Sequence, residues 1–425
     1  VSNSSGGLHE FVSQPPAAGG DEGITKVLHA IRTHLQMDVA FVSEFRQTDR
    51  VFQHVDAAGR TPIHSGDSAP LDQGYCQRVV DGRLPELIPD ANHLPATACL
   101  PETKAIPIGA HLSVPIRLRD GRVYGTFCCF SYLPDHSLTE RDLQTMRVFA
   151  DLVADQIDHD REAQRERHDR IRQVDEVIAR GQPRIVFQPI YDLTTRRITG
   201  VEALSRFDSK PVRTPDHWFR DAALVGLGID LERRAVVSAL KVLPHLPEAA
   251  YVAVNASPDV VESGVLEPLL RNVDARRLML EITEHVSVDD YERLGEALAP
   301  LRALGVRVAI DDAGAGYASM RHILSIEPEL IKLDMSLTRG IDQDRKRRAL
   351  ASALIAFAQE TRASIVAEGV ETAGELNTLC ELGVRKVQGY FLSRPCDLAD
   401  LDQYLTLPPA ATGVCGQRPA NTSNR

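Results

Sequence analysis

Two domains joined by a long helix are predicted: a small α+β unit first, then an α/β barrel of the (β/α)8 type. Three features of the 425-residue sequence predict this. Eight short apolar runs of strand character recur after residue 183, with helix-period stretches between most of them. Before residue 158 the pattern differs, with a leading helix, β-rich runs of antiparallel type and a closing helix. Apolar residues spaced by threes and fours then carry that helix into a highly charged stretch.

Composition sets the bounds. A hydrophobic content of 43% supports real cores, and a net charge of -11 argues against a sequence-independent grip on DNA. A local basic pocket for one small phosphate ligand stays open. No run approaches the roughly 20 apolar residues of a membrane span, and "VSNSSGGLHEF" lacks the regions of a signal peptide. A cytoplasmic protein is expected. The opening Val in place of Met points to an altered, trimmed or processed start. The seven scattered cysteines contain no CxxC pair, so neither a disulfide framework nor a zinc site is supported, and all are expected to be reduced.

Residues 1–20, rich in Ser, Gly and Pro, read as a flexible lead. In the first block, 21–158, "ITKVLHAIRTHL" is amphipathic, "VAFVSEF" and "VFQHVDAAG" are β-rich, and "PIRLRDGRVYGTF" predicts a hairpin turning at Asp120 and Gly121. The closing helix carries Leu143, Met146, Ala150, Val153 and Ile157 in a heptad-like register. That register resumes at Ile171, Val174 and Ile178 after polar Asp160, Gln164 and Arg167. Two readings stand: a dimeric signalling helix with a linker at 159–182, or an amphipathic helix lying on its own domain.

The second block, 183–408, holds the eight runs "RIVFQPI", "ITGVEAL", "YVAVNAS", "LMLEITE", "VRVAIDD", "LIKLDMS", "SIVAEGV" and "RKVQGYF". Neither GxGxxG nor a P-loop occurs, which argues against dinucleotide and P-loop folds. Residues 409–425 read as a flexible tail.

In such a barrel, residues at the carboxyl ends of the strands gather over one face. Here they are Glu202, Asn255, Glu281, Asp311 with Asp312, Lys332, Glu368 and Gln388. One acid at a strand end is an ordinary turn or cap residue. Acids and amides ending several strands of one barrel repel unless cations neutralise them. Oxygen donors without a His or Cys cluster point to Mg2+ or Mn2+. In "VAIDDAGAGYAS" the adjacent aspartates sit where pleating stops, so they can serve two ions. A paired-ion site activates water for in-line attack on phosphorus. Lys332 balances charge or orients that water, and Glu368 is the candidate general base; the alternative for both is a buried ion pair without a catalytic role. A Schiff-base aldolase using Lys332 is a third reading, disfavoured by the surrounding acids.

"VEALSR" at 201–206, with "FQPI", "VNAS", "LEITE", "AIDDAGAG", "IKLD", "AEGVET" and "VQGYF" in order, resembles the EAL domains, bacterial cyclic di-GMP phosphodiesterases with a TIM-like barrel. The resemblance implies hydrolysis of cyclic di-GMP to linear 5'-pGpG with two ions of Mg2+ or Mn2+. It implies metal ligation by Glu202, Asn255, Glu281 and Asp311, with Asp312 on the other ion, and catalytic roles for Lys332 and Glu368. It further implies substrate contacts from Gln188, Leu204, Arg206 and Gln388, the last also at the metal and water site, and supporting roles for Glu284, Asp334 and Glu371. Ala313 stands where the family usually has Phe, which leaves a non-catalytic cyclic di-GMP receptor as the alternative. A homodimer through the linker helix and the barrel is expected. No segment resembles a GGDEF cyclase.

The first block is similar to GAF sensor domains, on element order plus "GYCQRVVDGRLPELIPDA" and "SVPIRLRDGRVYGTFCCF". Regulation of the barrel is implied, while the ligand is not set by the sequence. Cys76 precedes Gln77 rather than the His of bilin-binding relatives, and it is expected to be an ordinary partly buried cysteine. His93 and His111 do not call for haem.

Overall fold

The computed structural model describes residues 20–283, 291–313 and 323–412. It falls into two compact units, Val1–Arg167 and His168–Arg425.

In the first unit, helix α1 (Gly20–His34) precedes strands β1 (Val39–Phe45), β2 (Asp49–Ala57) and β3 (Ser68–Pro70). Helix α2 (Tyr75–Val80) and strands β4 (Leu87–Ile88), β5 (Ala110–Arg117) and β6 (Val123–Ser131) follow. The strands form one antiparallel sheet in the order β3-β2-β1-β6-β5-β4. The predicted hairpin joins β5 to β6, with Gly121 at φ 82° in its turn. Strand alternation sends adjacent residues to opposite faces. Ala40, Leu112 and Cys129 pack with α1, whereas Val39, Phe41 and Cys128 pack with Tyr75 and Cys76 of α2.

Helix α3 spans Glu140–Ala179. Leu143, Met146, Ala150, Val153 and Ile157 are buried in the first unit's core beside Ile24 and Leu28. Val174 and Val177 are buried in the second unit against Trp218, Ala222 and Leu231, with Ile178 packed on them. The helix therefore lies on its own domains. Its heptad positions from Leu143 to Ile157, with Val174 and Val177, pack on the chain's own cores, while Val148, Leu152 and Glu162–Asp169 are exposed.

The second unit closes a barrel from β7 (Arg184–Asp192), β8 (Arg197–Arg206), β9 (Tyr251–Asn255), β10 (Leu278–Thr283), β11 (Arg307–Ala313), β12 (Leu330–Leu333), β13 (Ser364–Ala367) and β14 (Lys386–Val387). All eight expected runs contribute strands. One feature departs from strict strand–helix alternation: β7 runs antiparallel to both β8 and β14. Residues 193–196 are too few for a crossover helix. Asp192 instead accepts the backbone N–H groups of Thr194 and Thr195, each at 2.8 Å, and Arg196 adopts φ 54°. Helices α4 (Pro215–Val225), α5 (Gly228–Ala239), α6 (Tyr291–Ala303), α7 (Arg345–Thr361) and α8 (Ala373–Glu381) are the longer helices of this unit.

The two-residue period fills the barrel in layers. Ile190, Tyr251, Ala253, Met279, Ala309, Leu330 and Val366 form an apolar plug. Gly200 makes room for it, because a Cβ there would lie 2.7 Å from the Tyr251 ring. Two positions beyond Met279, Ala309, Leu330 and Val366 stand Glu281, Asp311, Lys332 and Glu368. An apolar plug thus carries a polar ring.

Cys76, Cys99, Cys128, Cys129 and Cys396 are free thiols. Cys380 is disulfide-bonded, which corrects the expectation that every cysteine is reduced. Among the described residues no helix is long and apolar enough to cross a membrane.

Candidate metal centre

Lys332, 1% exposed, stands inside the ring. Its Nζ lies 2.7 Å from Glu368 Oε1, 3.0 Å from Glu281 Oε1, 3.1 Å from Asp311 Oδ1 and 3.4 Å from Glu202 Oε1. Burial alone would lower its pKa, but the four carboxylates outweigh burial and hold it well above the ordinary lysine value. Burial and the neighbouring acids push Glu281 and Glu368 well above the usual carboxylate range, against the pull of Lys332.

The acids form two overlapping triads. One oxygen each from Glu202, Glu281 and Asp311 lie within 4.8 Å of one another, and the same holds for Asp311, Asp312 and Glu368. Asp311 belongs to both. Asp312 reaches the second triad because the pleat breaks at that point. Its φ is 55°, its N–H bonds Asp311 Oδ1 at 3.0 Å, and the ladder to β12 shifts register between Ile310 and Ala313. Asp tolerates this left-handed conformation better than most residues.

One ammonium does not neutralise four carboxylates, and Glu281 Oε2 and Gln388 Oε1 are buried without a hydrogen-bond partner. Unfilled oxygen lone pairs among crowded acids suit hard divalent cations. The residues present fit such ions.

Amides lock one side of the ring. Gln388 Nε2 donates to Glu202 Oε2 at 2.5 Å and to Gln188 Oε1 at 3.0 Å, and Gln188 Nε2 donates to the Ser393 carbonyl at 3.2 Å. Gln188, at the middle of the reversed β7, pairs in register with Glu202. Leu204, Arg206, Asn255, Asp311 and Asp312 line an adjoining cavity of about 490 Å³. Arg206 Nη1 donates to the Ser205 carbonyl at 2.8 Å.

Other expected residues lie apart from the ring. Asp334 caps a short helix by accepting Ser336 N–H at 2.8 Å, and Glu371 pairs with Arg339. Glu284 lies outside the described residues.

The family profile described as EAL domain matches residues 171–395, more than half of the sequence. The chain belongs to the EAL domain family. A GAF domain profile matches residues 21–157. Among curated relatives of the EAL barrel, a Pseudomonas aeruginosa protein named as a cyclic di-GMP phosphodiesterase is 33% identical over 241 residues, 52% of this chain and 40% of that protein. A Caulobacter vibrioides protein named as an uncharacterized signaling protein is 28% identical over 393 residues, 88% of this chain and 46% of its own length. The chain spans less than half of either relative. The solved PaMucR phosphodiesterase in complex with c-di-GMP superposes with a TM-score of 0.50 at 28% identity, over 55% of this chain and 99% of that one.

Two acids missed in the sequence brace the EAL site. Glu375 accepts the N–H groups of Gly340, Glu371 and Thr372, at 2.8, 2.8 and 2.9 Å, and completes a capping box with Thr372. The T-x-x-E spacing at 372–375 is the signal that could have revealed it. Glu232 on α5 accepts Ser257 N–H at 2.8 Å, just beyond Asn255. Nothing local in "DLERR" marks that reach.

Proposed function

We propose that this EAL barrel hydrolyses one phosphodiester of cyclic di-GMP to give linear 5'-pGpG. Two divalent cations, Mg2+ or Mn2+, would be held by Glu202, Asn255, Glu281, Asp311 and Asp312. The observation that carries the reading is the pair of acid triads sharing Asp311 beside a cavity that presents Arg206. When bound, such cations supply an attacking water that is deprotonated near neutral pH and neutralise charge developing at phosphorus.

The chain's own residues do the rest. Arg206 and Gln188 hold the phosphate and backbone of the substrate, Leu204 gives it an apolar contact, and Gln388 fixes the Glu202 carboxylate. Lys332 orients the attacking water, and Glu368 accepts its proton. A general base works best with a pKa near the working pH, and the raised value of Glu368 moves it in that direction. The GAF domain regulates turnover. Pairing of two copies through the linker helix and the barrel belongs to the same reading. The reaction is placed in the cytoplasm.

The test is product analysis with the full chain, cyclic di-GMP and Mn2+ or Mg2+. Formation of pGpG, abolished in Glu202→Ala and Glu368→Gln, is expected; a folded, cation-loaded sample that yields none overturns the reading. Ala313, buried at the end of β11 where the resemblance to the family implies Phe, favours the second reading of a receptor that binds without cutting. Tight calorimetric binding with no product would select it.

A further inference from the structure

A buried polar cluster in the first unit plays no part in the barrel's chemistry. Cys76 of α2 and Cys128 of β6 bring their Sγ atoms to 3.7 Å, and both side chains are buried. Arg50, 2% exposed, directs Nη1 to Cys76 Sγ at 2.6 Å. Its Nη2 pairs with Glu102, which also accepts Tyr75 N–H at 3.0 Å. The hydroxyls of Ser113 and Thr126 each lie 3.1 Å from Cys128 Sγ. Cys129, next in sequence, points to the other sheet face and contacts Met146 Sδ at 3.7 Å.

A guanidinium held against a thiol stabilises the thiolate, the nucleophilic form, and a second thiol within reach permits S–S closure. Burial pushes the Cys76 thiol up, but the Cys128 hydrogen bond and the Arg50 charge outweigh it and bring it down to about 6. Burial and the facing Cys76 hold Cys128 well above the ordinary thiol value. The arrangement thus favours the thiolate at Cys76 and the thiol at Cys128. Arg50, Glu102, Phe52 and Ile63 also line a cavity of about 350 Å³, so a small neutral solute comes within one side chain of Cys76.

We propose that Cys76 and Cys128 form a peroxide-reactive pair, with hydrogen peroxide or a small hydroperoxide as the oxidant. The Cys76 thiolate attacks one peroxide oxygen, so that an S–O bond forms, the O–O bond breaks, and departing hydroxide takes a solvent proton. Cys128 then attacks the Cys76 sulfur. The S–S bond forms, the S–O bond breaks, and the leaving hydroxide takes the Cys128 proton. In total, two thiols are oxidised to a disulfide and one hydrogen peroxide is reduced to two waters. The sulfurs must close from 3.7 Å to about 2.05 Å.

The test treats the full chain with hydrogen peroxide at pH 7, alkylates the remaining thiols and maps the peptides by mass spectrometry. A reducible Cys76–Cys128 cross-link is expected, unchanged in Cys129→Ser. In Cys128→Ser, dimedone should trap a sulfenic acid at Cys76. Arg50→Gln should slow cross-linking by roughly tenfold, as the thiolate fraction falls. Cross-linking at an unchanged rate in that variant, with wild-type circular dichroism, overturns the role of Arg50. Oxidation at exposed Cys99 while Cys76 and Cys128 stay as thiols overturns the pair.

Discussion

Lys332 Nζ sits 2.7 Å from Glu368 Oε1 and within 3.4 Å of three further carboxylates. Taking away one partner of a buried charge cluster leaves the others uncompensated, at a cost of about 3–5 kcal/mol. Lys332→Met is therefore expected to lower the melting temperature sharply in cation-free buffer. Mn2+ should restore more stability to the variant than to the parent, because the acids then depend on the cation alone. Thermal denaturation with and without Mn2+ checks this; equal Mn2+ shifts in both proteins would contradict it.

Gln388 joins Gln188 to Glu202, so it acts on the centre through Glu202. Loss of such an orienting hydrogen bond costs about 10–100-fold in metal affinity or activity. Gln388→Ala is expected to show that loss at low Mn2+ and to recover at saturating Mn2+. Turnover measured across a cation titration distinguishes this from direct loss of a substrate contact, which saturation would not repair.

The ring was legible in the sequence because a strand alternates strictly: Met279 with Glu281 and Leu330 with Lys332 are spaced by the pleat itself. The left-handed turn at Asp312 could be anticipated from two acids ahead of glycines. The reversal of β7 was less visible, since an apolar run reads the same in either direction, and only the short 193–196 connection betrays it. The heptad spacing on α3 also had two physical solutions. A seam at Leu143, Met146 and Ile157 can face a second helix or its own sheet, and periodicity alone does not choose. Glu232 shows the remaining gap, because its partner Ser257 comes from another element and no local pattern reports that contact.

Glu375 braces the loop that carries Glu371 by accepting three backbone N–H groups. Burial raises its pKa, but the donors from Gly340, Glu371 and Thr372 prevail and lower it. Glu375→Ala should cost on the order of 1–2 kcal/mol, the range for loss of a helix cap. Hydrogen exchange should accelerate at Gly340 and at 371–372 before it changes elsewhere in the barrel. Uniform acceleration across the unit would assign Glu375 a global rather than a local role.

His111 is buried in β5, with its ring 4.6 Å from that of Tyr75 and Nδ1 without a hydrogen-bond partner. Burial first, and the Arg50 charge second, depress its pKa from 6.5 to about 3. The unfolded chain takes up this proton near pH 6.5 while the folded chain refuses it until about pH 3. The stabilisation is therefore complete above pH 6.5 and is lost progressively as the pH falls toward 3. Urea unfolding at pH 7, 5.5 and 4.5, followed by far-UV circular dichroism, should show the first unit's midpoint dropping with pH. The single tryptophan, Trp218, lies in the second unit, so its fluorescence separates that unit's transition. In His111→Phe, which keeps an aromatic ring beside Tyr75, the drop should be smaller. Identical slopes in the two proteins would show that His111 does not set the acid sensitivity of this unit.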